Sequence, residues 1–171
     1  MSALKRVFLL LILLMQTVQA SCVVAPFFVR GHSLEPLIKD GQTIEGNLGD
    51  CPPGPKKGDL ILFKHLGFDI PLLKIVVGVP GDRFDLKKSG KFWNLIINKK
   101  IAKNSANIPY KLILGKDSIL HLYLKGTHGI IPKNNWLVMG DNPNGTDDSS
   151  RFGLIPKQDI LGFVKSALSK I

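Results

Sequence analysis

The chain has 171 residues, 44% hydrophobic and 21% charged, a balance that suits one globular domain with a core of its own and excludes an intrinsically disordered chain. Its formal charge of +10 admits a nucleic acid or an anionic membrane as partner. The lysines, among them Lys87, Lys88, Lys91, Lys99, Lys100, Lys103, Lys111 and Lys116, are scattered, with no arginine-rich stripe and no helix-turn-helix, zinc or RNA-binding signature. Nucleic acid is therefore set aside as a partner.

The chain opens with Lys5 and Arg6, followed by nine apolar residues from Val7 to Met15. Two readings compete. A basic start, a short apolar run and the small-residue exit Val18-Gln19-Ala20 suit a cleavable signal. Residues 7–29 are also long enough for a membrane anchor, at some cost from Gln16, Thr17 and Gln19. Both put the basic start in the cytoplasm and the rest on the outer side. A lipoprotein box fails because Gln19 stands three before Cys22. The expected division is a signal or anchor over residues 1–22 and a folded domain over 23–171. Cys22 and Cys51 form no CxxC pair, which argues against zinc. A disulfide requires a domain outside the cytoplasm. Two free thiols is the preferred reading, because Cys22 borders the apolar segment.

Beyond position 30 the predicted elements are short strands: IEGN, DLILF (59–63), LLKIVVGV (72–79), FWNLII (92–97), LILG, ILHLYL (119–124), WLVMG (136–140) and ILGFV (160–164). Turn residues part them, including Pro52-Pro53-Gly54-Pro55, Pro80-Gly81-Asp82, Ser89-Gly90 and Asn144-Gly145. No stretch of 12 or more residues carries a capped helical period. The fold class is mainly β, a folded-over sheet or a barrel-like pair of sheets.

Ser33, in Arg30-Gly31-His32-Ser33-Leu34-Glu35-Pro36, is a candidate nucleophile and needs a base. His32 is its immediate neighbour and points the other way in an extended chain. His121 reads as a strand residue, and His65 and His128 as exposed loop residues. No G-x-S-x-G elbow exists, although a serine triad assembled across the fold stays open. Lys74 stands out because it interrupts a nearly continuous apolar strand. Burial lowers a lysine pKa, and a neutral amine is a competent general base. On strand pattern alone, an edge-strand or snorkelling lysine is the favoured alternative. The stretch MGDNPNGTDDSSRFG (139–153) fails as a calcium loop, because Pro143 occupies a ligand position.

These pieces acquire meaning together. The run KIVVGVPGD (74–82) resembles the lysine box of the type I signal peptidases, K-R-V-V-G-L-P-G-D. GHSLEP (31–36) resembles their serine box, G-x-S-M-x-P, and the stretch 139–153 resembles their third box, M-G-D-N-R-x-N-S-x-D-S-R. The boxes stand in the family's order behind an apolar segment. The resemblance covers residues 23–86 and 134–164; residues 87–133 match loosely, as an insert in which LIINKKI is similar to a short strand-turn of the family.

The resemblance implies folded antiparallel sheets of the signal peptidase and repressor-cleavage type, preceded by one N-terminal membrane or signal helix. It implies a serine endopeptidase of the cytoplasmic membrane, single-pass, with its peptidase domain on the outer side, acting on precursor proteins in contact with lipid. No metal or cofactor is implied. Ser33 matches the nucleophile and Lys74 the general base. Gly31 falls where some members use a serine hydroxyl for the oxyanion, which leaves a hole built from backbone N–H groups. Leu34 matches a wall of the substrate pocket. Thr146 falls at the residue that orients the lysine, and Asp148 and Arg151 at a supporting ion pair, with Gly140, Asp141 and Asn142 as a backbone corner.

The sequence departs from the family at Ile75 and Pro143, and its third box is one residue longer. Such variation resembles the conjugative-transfer branch that processes pilin precursors. An inactive relative that binds signal peptides, a secreted β-domain that binds envelope partners through its lysines, and a self-cleaving repressor-type protein are the alternatives.

Overall fold

The computed structural model describes residues 22–113, 115 and 118–165. Eleven strands among them form two antiparallel sheets. The larger has the order β1-β2-β11-β3-β4-β9-β10, built from Val23–Phe28, Thr43–Leu48, Ile160–Val164, Leu60–Phe63, Leu72–Gly78, Asn135–Met139 and Ile155–Pro156. The smaller joins β5 (Phe84–Ser89), β6 (Phe92–Ile97) and β7 (Lys100–Ile101), with β8 (Lys111–Leu112) also on β6. Two short helices, α1 (Ile119–Gly126) and α2 (Ser149–Phe152), complete the fold.

The central strands read as continuous apolar runs because both faces are covered. On β9, Trp136 and Val138 join Ile61, Phe63, Val76 and Phe163 on one side. Leu137 and Met139 join Phe84, Leu86, Leu95 and Ile97 of the small sheet on the other. A third cluster, Val29, Leu34, Ile38, Leu60 and Ile75, pins the β1–β2 connection onto β3 and β4. This third cluster fixes where Ser33 lies.

Several expectations need correction. Val23–Phe28, counted in the 7–29 anchor reading, is a strand paired with β2 in the register Val23↔Leu48 to Phe28↔Thr43. An apolar span therefore cannot run on as helix to residue 29; the segment before Cys22 lies outside the described residues. Among the described residues no helix is long and apolar enough to cross a membrane. The cysteines are not free: Cys22 and Cys51 form a disulfide with Cα atoms 4.9 Å apart, because pairing of β1 with β2 brings the chain on either side together.

ILHLYL is helix α1, not a strand. Leu120, Tyr123 and Leu124 share the i, i+3, i+4 face that packs on the core. His121 therefore sits on a helix, bonded to Ser118 Oγ at 2.8 Å and edge-on to Trp93. His65 is half-buried against Phe152, with ring centroids 4.3 Å apart, and is not an exposed loop residue. Strand β5 was absent from the predicted elements, and LILG holds only Leu112 of the two-residue β8. The lysines are less scattered than the sequence implied: Lys87, Lys88, Lys91, Lys99, Lys100, Lys103 and Lys111 all lie on the small sheet and its turns, three of them over Phe92 or Trp93.

Candidate active site

Ser33 lies in the loop between β1 and β2. The loop is closed at its base by Val29 N–H to Gln42 O (2.8 Å) and Gly41 N–H to Val29 O (3.0 Å). Gly31 takes φ +87°, where a glycine is favoured, and donates its N–H to Asp40 Oδ1 at 2.7 Å. Leu34 and Ile38 then drop into the third cluster, against Leu60 of β3 and Ile75 of β4. The side chain between these anchors, Ser33, is thereby carried to β4.

Lys74 occupies the third position of β4, opposite Ile61 of β3. It is 3% exposed. Its Nζ donates to Ser33 Oγ at 2.8 Å and to Leu73 O at 3.1 Å. Burial pushes its pKa below the usual lysine value, while the charges of Asp148 and Asp147 work the other way and only partly offset it. The geometry does not suit the edge-strand alternative, since β3 and β9 flank β4 on both sides.

The third wall is the 139–153 stretch. Asp141 N–H and Asn142 N–H both donate to Ser33 O, at 2.8 and 3.2 Å, and Asn142 Nδ2 donates to His32 O at 3.0 Å. Asp141 and Asn142 thus hold the serine's backbone, while Gly140 gives its N–H to Asp148. Asp148 caps α2 through Ser150 N–H and accepts from Gly140 N–H at 3.1 Å. Ser149 Oγ accepts from Val138 N–H at 2.9 Å, tying α2 to β9.

Two supporting contacts differ from expectation. Thr146 Oγ1 donates to Asp148 Oδ2 at 2.5 Å, and the Lys74 amine makes its bonds to Ser33 and Leu73 instead. Thr146 packs onto Gly140 beside the Ser33 carbonyl. Arg151 pairs with Asp147, not Asp148, because Asp148 is turned inward as the α2 cap while Asp147, four residues before Arg151, faces the surface with it. Asp148 thus serves Thr146 and the backbone.

A groove of about 300 Å³ runs beside the pair, lined by Phe27, Leu34, Leu62, Ile70 and Leu72 together with Ser33 and Lys74. Leu34 is 1% exposed and forms its floor. The Ser33 backbone N–H makes no hydrogen bond among the described residues. Among the described residues no three His, Cys, Asp or Glu side chains gather at metal-binding distance. Sequence reasoning missed Asn104 and Ser105, which bond to Asp141 from a loop that carries no motif.

A buried amine of lowered pKa, a hydroxyl in contact with it, a backbone N–H with no partner among the described residues and an apolar groove are the parts that opening a peptide bond requires. A family model described as Signal peptidase, peptidase S26 matches residues 1–168. Signal peptidase IB of Staphylococcus aureus is 32% identical over 155 residues, covering 83% of this chain and 76% of its own. Signal peptidase I of Buchnera aphidicola is 25% identical over 161 residues, covering 63% of this chain and 52% of its own. A solved signal peptidase I from Enterococcus faecalis is 21% identical, with a TM-score of 0.46, over 66% of this chain and 97% of that one.

Proposed function

The chain belongs to the signal peptidase family, peptidase S26, and from that membership we propose that it is a membrane-bound serine endopeptidase that removes N-terminal signal peptides from exported precursors. The observation that carries the reading is the 2.8 Å contact between Lys74 Nζ and Ser33 Oγ at the edge of an apolar groove.

The contact supports the following chemistry. Neutral Lys74 takes the Ser33 hydroxyl proton as Oγ attacks the scissile carbonyl. The developing oxyanion accepts the Ser33 N–H, with no side-chain hydroxyl at Gly31 to help. Lys74 then gives its proton to the departing amine, leaving the signal peptide as an ester on Ser33. Water, deprotonated by the same amine, releases it. Asp141 and Asn142 fix the serine backbone, and Thr146 and Asp148 brace the corner behind it. The small groove with its apolar floor at Leu34 suits small side chains at the first and third positions before the cut.

The disulfide supports an oxidising compartment for the folded part, hence a peptidase domain on the outer side of the cytoplasmic membrane with residues 1–22 as its signal or anchor. Substrates are then presented from the lipid surface. A serine-directed acylating reagent tests the pair. Labelling of Ser33 in wild type and its loss in Lys74→Ala is expected. Labelling indifferent to Lys74 would speak against the amine as base.

A further inference from the structure

Asp141 is fully buried, and all of its polar groups are engaged. Three of its bonds lead to one loop. Ser105 N–H donates to Oδ1 at 2.8 Å, Ser105 Oγ donates to Oδ2 at 2.5 Å, and Asn104 Nδ2 donates to the Asp141 carbonyl at 2.9 Å. The remaining group, the Asp141 N–H, holds Ser33 O. None of the ion pairs among the described residues involves Asp141. A buried carboxylate in this setting depends on its hydrogen-bond donors, and both come from Ser105.

The donor loop is itself closed. Asn104 N–H donates to Ile108 O at 2.9 Å, Ile108 N–H donates to Asn104 Oδ1 at 2.9 Å, and Asn107 N–H donates to Asn104 O at 3.0 Å with Asn107 at φ +62°. It is mounted between β7 and β8, both paired to β6 of the small sheet. The small sheet therefore reaches the reacting serine along one chain of hydrogen bonds: Ser105 to Asp141, Asp141 to the Ser33 carbonyl.

We infer that the Asn104–Ser105 loop is a positioning element for the reacting serine, acting through Asp141 to hold the Ser33 carbonyl and so to aim Oγ at Lys74. The inference rests on the Ser33–Lys74 reading. Fixing a carbonyl fixes the backbone rotation that directs the side chain of the same residue. Small misplacements of a reacting group cost turnover more than ground-state binding; a shift near 1 Å is worth about 100-fold. Ser105 does not line the groove beside Ser33 and makes no bond to the Lys74 amine, so its effect should fall on kcat.

The test is steady-state cleavage of a precursor by the full-length enzyme in detergent, at a temperature well below each variant's Tm. Ser105→Ala is expected to lose roughly 10- to 100-fold in kcat with KM within about twofold. Ser105→Thr, which keeps the hydroxyl, is expected to recover most of that loss. Asn104→Ala removes the donor to the Asp141 carbonyl and the acceptor that closes the loop on Ile108 N–H, leaves both Ser105 bonds in place, and should show a drop of the same kind, which keeps the inference testable if Ser105→Ala does not fold. Wild-type kcat in folded Ser105→Ala or Asn104→Ala, or a loss confined to KM, overturns the inference, provided Ser33→Ala in the same assay is dead. Cleavage by Ser33→Ala would bring down the underlying reading and this inference with it.

Discussion

Thr146 fills the space that a side chain at Gly140 would need. A Cβ on Gly140 would stand 2.2 Å from Thr146 Oγ1 and 2.7 Å from the Ser33 carbonyl oxygen. The corner behind the serine is packed to contact, so its geometry is set by what Gly140 lacks. Gly140→Ala should cost about 1–3 kcal/mol of stability through overpacking. It should also cost a disproportionate loss of cleavage, because relief of the clash moves either Thr146 or Ser33. Denaturant unfolding alongside kcat checks both. Full activity with unchanged stability would mean that the corner is looser than these distances state.

The acid limb of the pH profile should belong to Lys74. Burial lowers its pKa, and Asp148 and Asp147 pull it part of the way back. Activity should therefore rise with pH as the amine loses its proton. Asp147→Asn removes an exposed negative charge that favours the ammonium form, so the limb should move to lower pH. The shift should shrink in high salt. A profile flat from about pH 5 to 10 contradicts a lysine base.

The same burial has a stability consequence with a fixed sign. Lys74 binds its proton less tightly folded than unfolded. Between its folded pKa and the usual lysine value of 10.5, the unfolded chain holds the extra proton, so stability rises with pH across that window. Below the window the penalty is present in full; above it the penalty is gone. Lys74→Met should therefore unfold at higher denaturant than wild type near pH 6 to 7, and the two should converge above the window. The variant should cleave nothing. Equal stability at all pH values would mean that Lys74 is better solvated than its surroundings imply.

The serine loop is enclosed by the disulfide, which joins residues 29 apart in sequence. Loop-closure entropy for a ring of this size is worth about 3–4 kcal/mol against the unfolded chain. Cys22→Ser with Cys51→Ser, or reduction, should lower Tm accordingly, and cleavage should fail at a lower temperature than in the oxidised protein. Unchanged melting would show that pairing of β1 with β2 holds the loop unaided.

Much of the framework is written locally. The runs 59–63, 72–79, 92–97, 136–140 and 160–164 hold strands that pack apolar side chains into the core, and β4 and β9 betray their two covered faces by their continuous apolarity. Six residues were too few to decide ILHLYL, whose alternation also satisfies a helical face once Leu120, Tyr123 and Leu124 find the core. FDLKKS hid because only Phe84 and Leu86 are buried, the rest of β5 projecting into solvent as aspartate, lysine and serine. The partner of Arg151 turned on which of two adjacent aspartates caps α2, a choice that no spacing rule makes. Asn104 and Ser105 were invisible for a different reason: their role exists only once Asp141, more than thirty residues downstream, is folded against them.

The most direct measurement is cleavage of a precursor whose signal ends Ala-x-Ala by the detergent-solubilised enzyme, with Ser33→Ala and Lys74→Ala as partners. Cutting after that alanine by wild type, with loss of at least about 1,000-fold in both folded variants, is the predicted result. Cleavage by either variant at the wild-type rate would contradict the Ser33–Lys74 pair as the seat of the chemistry.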